Sequence, residues 1–83
     1  MSHERLAQLI QTRQVAIAAD PEHSSTHETI LSIFTAIEKG DVTEGLALRL
    51  LRSEAMRLAN DPAQATLYRQ AAADIWQMQR EEH

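Results

Sequence analysis

Two prolines stand 41 residues apart in this chain, each preceded by aspartate, as Asp20-Pro21 and Asp61-Pro62, with Gly40 between them. A residue before proline is pushed out of helical geometry, and glycine readily takes the left-handed conformation that closes a helix. These three stops divide 83 residues into four segments, each the length of a helix. The fold has to be assembled from pieces of that size.

Apolar spacing inside the segments agrees with helix. The first is expected to run from Ser2 to Ala19, capped by Ser2, with Leu6, Leu9, Ile10 and Ile17 on one face. His23-Ser24-Ser25-Thr26 is the most polar stretch and reads as a connection. Ser25 with Glu28 has the form of a capping box opening a second helix, whose stripe is Ile30, Ile33, Phe34 and Ile37. Gly40 should close it. Asp41-Val42-Thr43-Glu44 has the same capping form and opens a third helix to about Ala59. Its main face is Ala47, Leu50, Leu51 and Leu58, widened by Leu46, Leu48, Ala55 and Met56. Asp61 is placed to cap a fourth helix with Pro62 in its first turn, carrying Leu67, Ala71, Ile75 and Met78 and fraying before His83.

A shift of 41 residues lays Leu9-Ile10-Gln11-Thr12 on Leu50-Leu51-Arg52-Ser53, and Ile17-Ala18-Ala19-Asp20-Pro21 on Leu58-Ala59-Asn60-Asp61-Pro62. Phe34 then meets Ile75, and Ile37 meets Met78. The expected fold is therefore all-α: one domain over residues 1–83, a four-helix up-and-down bundle of two αα-hairpins with a pseudo-repeat of 41 residues.

In projection at 100° per residue, the helical period, Arg13 falls inside the arc of Leu6, Leu9, Ile10 and Ile17. Glu54 falls amid Ala47, Leu50, Leu51 and Leu58, at the position equivalent to Arg13 under the shift. A lone charge on an apolar face is expensive, so an Arg13–Glu54 salt bridge between the first and third helices is expected. The alternative is that both side chains snorkel from the edge of a thin core.

Composition narrows the function. The absence of cysteine removes disulfides and thiolate chemistry and suits a reducing cytoplasm. No apolar run approaches a membrane span, and the opening lacks the apolar stretch of a signal peptide, so a soluble cytoplasmic protein is expected. Net charge is -4, with segments 2–19 and 42–59 at +1 each and 20–41 at -4. No face is basic enough to neutralise a run of phosphates, which disfavours nucleic acid.

Chemistry is sparse. His23 and His27 have the spacing of two ligands on one helix face, but they span a connection and a cap, so no metal site is assigned. His3 and His83 sit at the chain ends. Neither a nucleophile with an adjacent base nor a glycine-rich phosphate loop is recognisable, and no cofactor or enzymatic activity is expected.

Ala36, Gly40 and Leu46 stand at the spacing of the buried alanine, turn glycine and aliphatic residue of helix-turn-helix units, and Arg49 and Arg52 share a face beyond them. Residues 32–52 thus resemble that family, which would imply DNA binding through the two arginines. Lys39 and Asp41 depart from the pattern, and Glu38, Asp41 and Glu44 crowd the end that would meet phosphate.

The stronger pointer is apolar excess. Tyr68, Ala72 and Trp76 recur beside the main stripe of the fourth helix, while Leu48 and Met56 lie off the centre of the third. Tyr68, Trp76, Leu48 and Met56 are the candidate contact residues, since such side chains anchor interfaces. The expected function is non-enzymatic protein binding by an adaptor, inhibitor or regulatory subunit, with itself as a homodimer or with another protein. Small acidic helical chains of this sort are frequent among bacterial accessory, plasmid and phage products, which sets the expected context.

Overall fold

In a computed structural model of the chain, which describes residues 2–81 and their side chains from Glu4 onward, every regular element is helical. Helix α1 spans Ser2–Ala19, α2 Ser24–Lys39, α3 Glu44–Arg57 and α4 Pro62–Glu81, with a short 3-10 turn at Pro21–His23 before α2. Ser2 as a cap, and the side chains of His3, Glu82 and His83, lie outside the described residues.

The stops act as their chemistry dictates, but neither expected capping box forms: Thr43, not Asp41, caps α3, and Ser25 does not cap α2. Gly40 adopts φ 82, and its N–H donates to the Ile37 carbonyl while that of Asp41 reaches Ala36, closing α2 in a Schellman pattern. Thr43 caps α3, its hydroxyl accepting from the N–H of Leu46 at 3.1 Å. Asp61 accepts the N–H of Gln64 at 3.3 Å, and the Gln64 amide donates back to its other oxygen at 2.7 Å. Proline at Pro21 starts a 3-10 turn that runs straight into α2, so the helix enters through His23 with no side-chain cap and the Ser25–Glu28 box is not used.

Contacts between α1 and α2 and between α3 and α4 dominate, with α4 also meeting α1 and α2, and α2 meeting α3. Such neighbour packing fits a bundle. One core draws on all four helices: Leu6 and Leu9, Ile30 and Phe34, Leu51 and Ala55, and Tyr68, Ala71, Ala72, Ile75 and Met78. Leu50, expected on the main face of α3, is 42% exposed. The buried arc of that helix instead centres on Ala47, Leu51 and Ala55, with Leu48 and Leu58 packed at its edges.

Candidate binding surface

The polar residues inside the bundle set the background against which a surface can be judged. Arg13 is only 8% exposed, as its place on the apolar face of α1 requires, but its partner is not Glu54. Its Nη1 lies 3.0 Å from Nδ1 of His27, a residue likewise buried on the first turn of α2. A guanidinium only donates, so Nδ1 of His27 accepts and Nε2 carries the proton. That Nε2 donates to Oδ2 of Asp20 at 3.0 Å, and His23 Nδ1 donates to the same carboxylate at 3.0 and 3.2 Å. The guanidinium also lies 5.9 Å from the centre of the Phe34 ring. Glu54 is bonded by Arg57, three residues on, through Nε at 3.1 Å and Nη2 at 2.5 Å. The expected bridge is absent because α1 and α3 are not packed neighbours, so an arginine facing inward from α1 meets α2 and α4.

Asp74 on α4 supplies the compensating charge. Burial raises its carboxyl pKa above the ordinary value, and the positive fields of Arg13 and Arg5 pull it part of the way back. Burial lowers the Arg13 pKa, opposed by Asp74. The Nε atoms of Arg5 and Arg13 are buried without a hydrogen-bond partner. Asp20 is held below the ordinary carboxylate value, first by the hydrogen bond from His27 and then, against some desolvation, by His23.

This chain of side chains is an interior brace. Arg13 takes the lone pair of His27 Nδ1, so a cation at Nε2 would have to strip the remaining ring proton beside a guanidinium. His23 and His27 are thus engaged by Asp20 and Arg13, and no group of three His, Asp or Glu among the described residues is arranged to hold a metal.

The outer face of α3 and α4 is different. Tyr68 is buried, 4% exposed, so it belongs to the core and is removed from the contact set. Leu48 is half-buried against that core. Trp76 is 44% exposed and Met56 79% exposed. Trp76 borders a groove of about 410 Å³ between the two helices, lined also by Arg52, Arg69, Ala72 and Ala73. The Arg80 guanidinium lies over the indole, 4.8 Å from its centre. Helical spacing explains the group: Arg69, Ala72, Ala73 and Arg80 are seven, four and three residues before Trp76 and four after it. Met56 follows Arg52 by four on α3.

Of the contact residues expected from sequence, Trp76 and Met56 are exposed; Arg69 and Arg80, whose spacing to Trp76 was a usable signal, were overlooked. It also missed His27 as the partner of Arg13, for which no local spacing gives warning. No helix among the described residues is long and apolar enough to cross a membrane. In comparisons with protein-family models, curated proteins and solved structures, nothing matches this chain.

Proposed function

We propose that the protein acts by binding another protein, without catalysis, as an adaptor, inhibitor or regulatory subunit, and that its contact face lies on α3 and α4 around Trp76. The observation that carries this reading is a half-exposed indole at the border of a groove lined also by Ala72 and Ala73, with Met56 exposed on the adjoining helix. Large amphipathic side chains in such positions are the usual anchors of protein interfaces. We take the bundle to run up-and-down as two αα-hairpins. The 2.8 Å hydrogen bond from Thr26 to Gln64, which ties the first turns of α2 and α4 together, supports that order. A cysteine-free chain suits a cytoplasmic setting.

The rival, a helix-turn-helix regulator on residues 32–52, is served less well. Arg52 lines the groove towards α4, while Asp41 and Glu44 stand at the N-terminal end of α3, where a recognition helix meets DNA.

Affinity capture from a cell extract tests the proposal, comparing the wild type with Trp76→Ala and Met56→Ser. A partner held by the wild type and lost by the variants, with circular dichroism unchanged, supports it. Capture that survives both replacements places the contact elsewhere. Light scattering over a range of concentrations distinguishes a second copy of this chain from a different partner.

A further inference from the structure

We infer that the groove between α3 and α4 takes an acidic segment of a different protein, in which an apolar side chain is flanked by carboxylates. This deepens the proposal above and rests on its reading of the face.

The groove offers two kinds of surface. Ala72, Ala73 and the Trp76 indole give it an apolar lining, which suits an apolar side chain. Its rim is cationic. Among the described residues Arg52 and Arg69 have no ion-pair or hydrogen-bond partner, and none of those lining the groove is a carboxylate. The Arg80 guanidinium carbon lies 4.8 Å from the centre of the same indole, which adds a third positive charge beside Trp76. Two guanidiniums in the groove, with a third beside its indole, match carboxylates round an apolar side chain, and arginine binds carboxylate with two parallel hydrogen bonds. A volume of about 410 Å³ accommodates a side chain or two of a segment, not the flank of a whole domain.

The net charge of -4 does not oppose this at contact range. Screening at physiological salt acts over about 8 Å, so the local cations decide what docks. Two other occupants fit worse. A symmetric dimer through this face would set the same arginines of each copy against one another, because a two-fold interface opposes a patch to itself. Two arginines in the groove and one beside its indole also fall short of the continuous track that neutralises a run of phosphates.

The experiment selects random short peptides, displayed on phage, against the immobilised full chain. The expected winners carry an apolar residue with Asp or Glu on both sides, in excess over the starting library. A synthetic winner should change the emission of Trp76, the sole tryptophan. It should bind about tenfold or more weakly to the Arg52→Glu, Arg69→Glu double variant, equivalent to about 1.4 kcal/mol or more. Circular dichroism confirms that the variant is folded. Winners without excess carboxylate that bind the double variant normally but fail on Trp76→Ala would overturn the acidic partner and leave the face as a protein contact. Winners indifferent to Trp76→Ala, or no enrichment, would overturn both. A labelled oligothymidylate that displaces the best peptide and depends on the same arginines would assign the face to nucleic acid.

Discussion

On the proposed reading as two hairpins, α1 with α2 and α3 with α4, each sets an Asp-Pro step before its second helix, and the two then diverge. Asp20 and Asp61, each before proline, accept a hydrogen bond from the side chain three residues on, His23 in one hairpin and Gln64 in the other. Four residues further, in the 41-residue register, stand His27 and Tyr68, both buried. There the likeness ends. His27 faces a buried cation and links Arg13 to Asp20, whereas Tyr68 packs among Ala71, Ala72 and Ile75. Opposite them, Arg13 is interior, while Glu54 stays at the rim and pairs with Arg57. The first pair buries Arg13 and His27 and is braced by them. The second sends only Asp74 towards Arg13 and sets Arg52, Arg69 and Arg80 outward, round Trp76. An Asp-Pro step precedes both, although Asp61 caps α4 and Asp20 leaves α2 uncapped, and the interior of each pair follows its helix faces.

The comparison can be broken at its largest contact first. Tyr68→Ala should lose about 3–5 kcal/mol of unfolding free energy, as for a fully buried aromatic ring, read by urea denaturation. A loss under about 1 kcal/mol would take the phenol out of the core. In the first hairpin, His27→Ala leaves Arg13 buried without its acceptor and should cost about 2–4 kcal/mol. Replacing both partners, Arg13→Met with His27→Leu, should recover part of that, with a coupling of about 1–3 kcal/mol in the double-mutant cycle. Strict additivity would show that the two do not act as a unit.

Acid sharpens the contrast. Asp20 has a folded pKa below its ordinary 3.8, so its contribution is complete above that value and is lost as pH falls through the lower, folded one. Asp20→Asn should therefore lower Tm near neutral pH, and the gap from the wild type should close as pH drops below 3.8. A gap that persists in strong acid would mean that the carboxylate charge is not what matters. The smallest effect belongs to Glu54→Gln, which breaks only a pair at the edge of the second hairpin and should shift stability by at most about 0.5 kcal/mol.

Much of this fold was legible in the sequence because its punctuation is local. Asp-Pro, Gly40 and Asp61 act through neighbouring backbone atoms, so their effect is written in adjacent residues. The inward position of Arg13 was legible too, since a helical period locates a residue on its own helix. Its partner was not. Which helix Arg13 faces depends on how the four pack, and pairing it with Glu54 assumed that α1 meets α3. The same gap separates Tyr68 from Trp76. Both lie on the broad apolar side of α4, and only the position of the neighbouring helices decides which is covered. Leu50 failed for the same reason, being apolar and in period yet on the uncovered side of α3.

The claim that the second hairpin turns a working surface outward rests on Trp76 belonging to the face and not to the fold. Urea denaturation of Trp76→Ala, followed by circular dichroism, tests it most directly. An indole only about half covered, with one cation beside it, should cost about 1–2.5 kcal/mol on removal. A loss of about 3–5 kcal/mol, the range for a buried aromatic, would make Trp76 core and leave α3 and α4 without the surface assigned to them.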